Sequence, residues 1–290
     1  MSRPARPERP PEPIVFTDLD GTLLDHSTYS FAPAADVLAE LRRRRTPVVL
    51  ATSKTRAEVR ALIRALALES PAIVENGGAL LLPRGHLRTP PEARRVRGFD
   101  VLPLGASRPA LVQALREIAA ETGARLRGFA DMTSHEVRER TGLRGEAVRQ
   151  AREREFDEPF LLETPVLAEA VTKAAERRGL RVTRGRRFFH LTGDTDKGAA
   201  VRRLLELYAA EGRRFVSIGL GDAANDLAML QAVDRPILVP RPDGSCDPDL
   251  ERALPHAERA PAPGPEGWSA AVQRALSVRT LEPSPRTAES

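Results

Sequence analysis

Short apolar runs alternate with helical patterns in two separate stretches of the chain. Ile14-Val15-Phe16 is followed by polar turn residues, then Val37, Leu38 and Leu41 recur at helical spacing, and Val48-Val49-Leu50 is again an extended run. Thr55 with Glu58 three residues on reads as a capping box opening a helix that carries Leu62, Ile63 and Leu66, after which Ala72-Ile73-Val74 resumes a strand. The pattern returns late in the chain, predicting a helix over 197–208, a strand over 215–218, a helix from Asp226 and a strand over 236–239. Such alternation calls for an α/β fold, a parallel sheet with helices on both faces.

Residues 90–187 read differently. Apolar segments at Val101-Leu102, Leu126 to Phe129, Phe160 to Leu162 and Phe188-Phe189 flank two or more helices, which predicts an inserted α+β domain and a cleft between it and the sheet. The expected organisation is a core from 13–89 and 188–278, an insert over 90–187, and tails at 1–12 and 279–290 too poor in apolar surface to order.

Composition narrows the function classes. A single cysteine, Cys246, excludes an intrachain disulfide framework, reads as a loop residue, and with no signal pattern points to the reducing cytoplasm. No run approaches the roughly 18 apolar residues of a membrane span. The net charge of +5 and pI near 10.0 suggest nucleic acid at first. Against that, 40 acidic residues are interspersed with the basic ones and aromatics are only 4%, leaving little on which bases could stack. The Arg42 to Arg45 run ends a predicted helix, where cations suit the macrodipole.

The chemistry-bearing residues sit at predicted strand ends, where open parallel sheets bind ligands. In Asp18-Leu19-Asp20-Gly21-Thr22, alternation sends two carboxylates one way and Leu19 the other. Carboxylates so close call for a proton or a hard cation such as Mg²⁺ between them. Gly21 permits a turn and a close backbone approach to phosphate. A calcium loop would need further oxygen ligands, but Thr22-Leu23-Leu24 turns apolar. Thr52-Ser53-Lys54-Thr55 places the Ser53 hydroxyl near a helix N-terminus, an anion site or a simple cap. Lys197, just after the N-cap Asp196, opposes the helix macrodipole and so suggests a compensating anion. In Gly221-Asp222-Ala223-Ala224-Asn225-Asp226, Asp222 can complete a metal site and Asp226 can bind the metal or orient its water. His190 reads as completing a strand.

Together these residues resemble the four ordered motifs of the haloacid dehalogenase superfamily of phosphotransferases: Asp18-x-Asp20-Gly21-Thr22, Ser53, Lys197, and Gly221-Asp222-x-x-Asn225-Asp226. The insert between the second and third motifs resembles the C2-type cap of the Cof-type branch, which implies a Rossmann-like core. Three stretches are similar to the mannosyl-3-phosphoglycerate phosphatase family: Gly128 to Thr133, Thr141-Gly142-Leu143 and Arg152 to Phe160. Thr52 to Thr55 and Glu75-Asn76-Gly77-Gly78 add to the likeness, which covers residues 13–277. It implies a Mg²⁺-dependent phosphatase in which Asp18 is the nucleophile and Asp20 the general acid/base. Asp18, the Asp20 carbonyl and Asp222 would hold the metal, with Asp226 beside it. Gly21, Thr22, Ser53, Lys197 and Asn225 would face the phosphoryl group.

The family's substrate is a phosphorylated sugar acid, converted to the compatible solute mannosylglycerate, with glucosyl analogues accepted by some members. Its carboxylate calls for a cap cation, for which Arg152 and Arg154 are the candidates. Other sugar-phosphate phosphatases and phosphomutases would keep all four motifs. One position departs from the family: Ala223 stands where Ser is common, removing a hydroxyl behind the metal site.

Overall fold

The first predicted alternation is complete in a computed structural model describing residues 11–185 and 187–277. It comprises β1 (Glu12–Thr17), α1 (Ala35–Arg43), β2 (Val48–Ala51), α2 (Arg56–Ala65) and β3 (Ala72–Val74). The Thr55–Glu58 capping box opens α2. A turn of four residues joins β3 to β4 (Ala79–Pro83), too short for a crossover, so β4 returns antiparallel. The hairpin β5 (Arg94–Val96) and β6 (Phe99–Pro103) follows β4.

The chain then leaves the sheet for α3 (Arg108–Thr122), β7 (Leu126–Gly128), α4 (Ser134–Thr141), α5 (Glu146–Arg152), β8 (Asp157–Leu162), α6 (Ala168–Glu176), β9 (Leu180–Arg184) and β10 (Phe189–Gly193). It returns through α7 (Lys197–Ala210), β11 (Phe215–Gly221), α8 (Leu227–Ala232), β12 (Arg235–Leu238), α9 (Pro248–Ala253), β13 (Glu258–Arg259) and α10 (Gly264–Ser277).

The large sheet has the order β13-β12-β11-β1-β2-β3-β4-β6-β5. β1 lies inside it, parallel to both β11 and β2. Pleating divides β1 between two cores: Val15 packs with Val37, Leu41, Val59 and Trp268, whereas Ile14 and Phe16 pack with Val201, Leu204, Met229 and Leu250. Helices therefore cover both faces. Cys246 lies in a loop, as expected, between β12 and α9, and its side chain is buried within the second of these cores.

The smaller sheet, β7-β8-β10-β9, is antiparallel. Phe160 and Leu191 pack one face against Leu111, Leu115 and Ile118 of α3 and Val171 of α6. Phe129, Val137, Val148 and Phe188 form a separate cluster under α4 and α5.

Both expected domain boundaries move. β5 and β6 belong to the large sheet, since β6 pairs with β4 through Leu80–Leu102 and Leu81–Val101. β10 belongs to the small sheet. The insert thus runs from Arg108 to Gly193 rather than over 90–187. Apolar alternation marks a strand but does not say which sheet it joins. Of the expected tails, residues 1–10 and 279–290 lie outside the described residues, while Glu12 already pairs with Phe215.

The turn from β3 to β4 is unusual. Glu75 (φ 49°) and Asn76 (φ 56°) are both left-handed without being glycine, and Gly77 follows at φ 95°. A methyl group on Gly77 would overlap the carbonyl of Asp196, the residue that caps α7. Gly77→Ala is expected to destabilise the protein by more than about 1 kcal/mol and to displace the N-terminus of α7, read as a lower melting temperature together with reduced turnover.

Candidate active site

Four loops meet at the carboxyl ends of the parallel strands: those after β1, β2 and β11, and the turn that opens α7. Asp18 follows β1, its amide donating to Leu220 O at 3.0 Å. The Thr17 hydroxyl accepts from Trp268 Nε1 at 3.0 Å and donates to the Asp18 carbonyl at 2.7 Å, so the buried indole of α10 fixes the backbone of this aspartate. Lys197, 1% exposed, reaches from the first turn of α7 to Asp18 Oδ1 and Asp226 Oδ1, both at 2.7 Å. An ammonium so buried is tenable only because two carboxylates surround it. They drive its pKa well above the usual lysine range despite burial.

Asp226 serves a second purpose. Its Oδ2 accepts the amides of Asp222 and Ala223 at 3.1 and 3.2 Å, holding the loop after β11 closed. The hydroxyl missing at Ala223 is therefore not needed for this bond, because backbone amides make it. Asp222 Oδ1 accepts from the Thr22 hydroxyl at 2.9 Å. A Cβ on Gly21, at φ 90°, would come 2.7 Å from Asp222 Oδ2. The Thr22 hydroxyl is thus spent on Asp222, and the Gly21 amide donates to Leu24 O at 2.9 Å while its missing side chain makes room for the same carboxylate.

Asp18, Asp222 and Asp226 present carboxylate oxygens within 4.8 Å of one another. Three acids face one buried ammonium, an excess of negative charge. Burial and the neighbouring Asp226 push the Asp18 carboxyl up to about 7 and that of Asp222 to about 8. Hard oxygen donors short of positive charge fit a small divalent cation. Asp226 has both oxygens committed, whereas Asp18 Oδ2 and Asp222 Oδ2 carry no hydrogen bond among the described residues, so the latter two fit as direct ligands.

The Asp20 side chain stands apart from this cluster. It is 43% exposed and its Oδ2 takes a 2.7 Å bond from Lys54 Nζ, a residue whose part the sequence motifs did not reveal. Ser53 and Asn225 sit on their expected loops, both half-buried. His190 completes β10 and its Nδ1 lies 2.8 Å from Asp157 Oδ2.

The two cap arginines divide. Arg152 donates to Ser134 Oγ at 2.9 Å and bonds none of the four loops. Arg154 is buried, with Nη1 donating to Asp157 Oδ2 at 2.8 Å and to the Ser53 carbonyl at 3.1 Å. Its guanidinium braces the Ser53 loop. Arg154→Ala is expected to lower turnover of a simple aryl phosphate and of a sugar phosphate by similar factors, about 10- to 100-fold. A loss confined to the sugar phosphate would instead mark it as a substrate ligand. The cap also carries a hollow of about 440 Å³ lined by His135, Glu139, Arg140, Arg187 and Phe188, which includes no residue of the four loops.

The chain is 40% identical to the glucosyl-3-phosphoglycerate/mannosyl-3-phosphoglycerate phosphatase of Methanococcoides burtonii over 261 residues, covering 89% of this chain and 95% of that protein. The chain belongs to the mannosyl-3-phosphoglycerate phosphatase family. The mannosyl-3-phosphoglycerate phosphatase of Pyrococcus furiosus is 33% identical, with 78% of this chain and 90% of that one aligned. The family model of haloacid dehalogenase-like hydrolases matches residues 15–85, the span of the first two motifs. Solved structures agree on the fold. A Thermoplasma acidophilum protein superposes with a TM-score of 0.65 at 18% identity, covering 91% of this chain and 98% of its own. The Synechocystis sucrose-phosphatase gives a TM-score of 0.59 at 16% identity, with 92% and 97% covered. The chain is thus a phosphatase with a haloacid dehalogenase-type core and an inserted cap.

Proposed function

We propose that this phosphatase hydrolyses mannosyl-3-phosphoglycerate, with the glucosyl compound as the alternative substrate, and that it does so through a phosphorylated Asp18. The observation that carries the reading is the separation of two aspartates two residues apart. Asp18 is buried and held by Lys197, while Asp20 is exposed and outside the acid cluster.

The Lys197 bond holds the Asp18 carboxylate in one orientation for in-line attack on phosphorus, splitting a hard displacement into two easier ones. Asp20, on the cleft side, donates a proton to the departing sugar-acid oxygen and later takes one from the attacking water. Ser53 and Asn225 would donate to the phosphoryl oxygens, and Lys197 would balance charge on them as it grows. Mg²⁺, held by Asp18 and Asp222 with Asp226 behind them, would supply further positive charge at the phosphoryl group. The metal's share is worth several kcal/mol, so chelation with EDTA is expected to reduce turnover by about a hundredfold or more and added Mg²⁺ to restore it.

The decisive assay is phosphate release from synthetic mannosyl- and glucosyl-3-phosphoglycerate in the presence of Mg²⁺. If neither is turned over while other sugar phosphates are, the substrate reading is wrong and the phosphatase assignment stands.

A further inference from the structure

The cations at the junction of cap and core are almost all tied to structural anions. Arg56 pairs with Glu155, Arg108 with Glu158, Arg154 with Asp157, and Arg181 with Asp194 and Asp196. Lys54 differs. Its one ion-pair partner among the described residues is Asp20, at 2.7 Å, and its ammonium also lies 5.7 Å from the centroid of the Tyr29 ring. The side chain is only 17% exposed, so it is lodged in the cleft wall and not waving in solvent.

This pairing brings Lys54 close to the reacting group. A carboxylic acid that protonates a leaving oxygen must come within about 3 Å of it. With Asp20 there and still paired, Lys54 lies within about 6 to 8 Å of that oxygen, the range set by which carboxyl oxygen carries the proton. On the substrate proposed above, the leaving oxygen is joined through two carbons to a carboxylate, which falls in the same space.

We propose that Lys54 is the specificity-determining cation for that carboxylate. When substrate enters, the ammonium exchanges Asp20 for the carboxylate of the leaving group, and Asp20 turns to the ester oxygen. Lysine suits such an exchange because its ammonium is a point charge on a flexible stem, with three rotatable donors and no preferred plane. The arginines around it are already committed to carboxylates within the cap or at its junction with the core. No bond is made or broken in this step; one ion pair replaces another. The inference rests on the phosphoglycerate reading of the substrate.

The test compares three substrates: the glycosyl-3-phosphoglycerate that wild type prefers, its carboxamide analogue, and an aryl phosphate. Wild type, Lys54→Met and Lys54→Arg are assayed with each, after their melting temperatures have been matched; Lys54→Gln serves if Met disturbs the loop. A charge-assisted contact predicts that Lys54→Met loses about 10- to 100-fold more kcat/KM on the acid than on the amide or the aryl phosphate. Lys54→Arg should recover part of that preference. Arg152→Ala, the comparator on the cap, should leave the preference in place. If Lys54→Met keeps the wild-type preference for acid over amide, or loses equally on all three substrates, the inference is overturned while the substrate reading survives. If wild type turns over neither glycoside, the substrate reading falls and this inference with it.

Discussion

Replacing Asp18 by Asn is expected to lower phosphate release by about 10⁴-fold or more, the scale seen when a covalent nucleophile is removed. The change is nearly isosteric and the backbone at this position is held independently, by the Leu220 carbonyl and by the Thr17–Trp268 pair. The fold should therefore survive, with a melting temperature close to wild type. The loss should be the same for a sugar phosphate and an aryl phosphate, because the nucleophile is common to both. Acid-quench trapping with labelled substrate should give a phosphoprotein from wild type and none from the variant. A variant retaining more than a few per cent of activity would remove Asp18 from the role of nucleophile.

Lys197→Met should produce the second largest effect, and on two observables at once. Among the described residues the ammonium is the one cation bonded to Asp18 and Asp226, both of them buried. Removing one member of such a group leaves the others uncompensated, which typically costs about 3–5 kcal/mol of stability. Loss of the charge opposite the phosphoryl group should cost a further 10²- to 10³-fold in kcat. The two losses can be separated with a second substitution. Asp226→Asn in the Lys197→Met background should return stability, read from the denaturant midpoint, without returning activity. If both return together, Lys197 acts only as a structural counter-ion.

The sequence made the parallel half of the sheet and most of the site legible, because local rules govern them. Ile14-Val15-Phe16, the Thr55–Glu58 capping box and the Asp196 N-cap depend on residues within a few positions, and all three hold. Lys197 stood out in sequence because a lysine in a first helical turn is electrostatically misplaced, and two carboxylates turn out to surround it. What was not legible depends on contacts between distant residues. Whether Val101-Leu102 joins β4 or β8 is a question of pairing, and either sheet would bury it equally well. Thr22 lies 200 positions from Asp222, and no spacing rule directs its hydroxyl there. Trp268 approaches Thr17 from the far end of the chain. Arg154 looked like a substrate ligand because arginines near a cleft favour carboxylates. Its partner is a carboxylate, but one the cap itself supplies, at Asp157.

The left-handed turn at Glu75 bears on how this architecture diversifies. Glu75 is fully buried, and its carboxylate accepts the amide of Glu155 at 2.9 Å and that of Phe156 at 2.8 Å. The core thus grips the insert by main chain, a group every amino acid except proline supplies. Side chains at 155 and 156 can drift without loosening that grip, and an insert of different sequence would dock in the same register if it offered two successive amides there. The socket itself belongs to the core. Exchange of inserts between relatives, cut at Arg108 and Gly193, should transfer the preference for the sugar, while Lys54 and the phosphoryl machinery stay behind with the core.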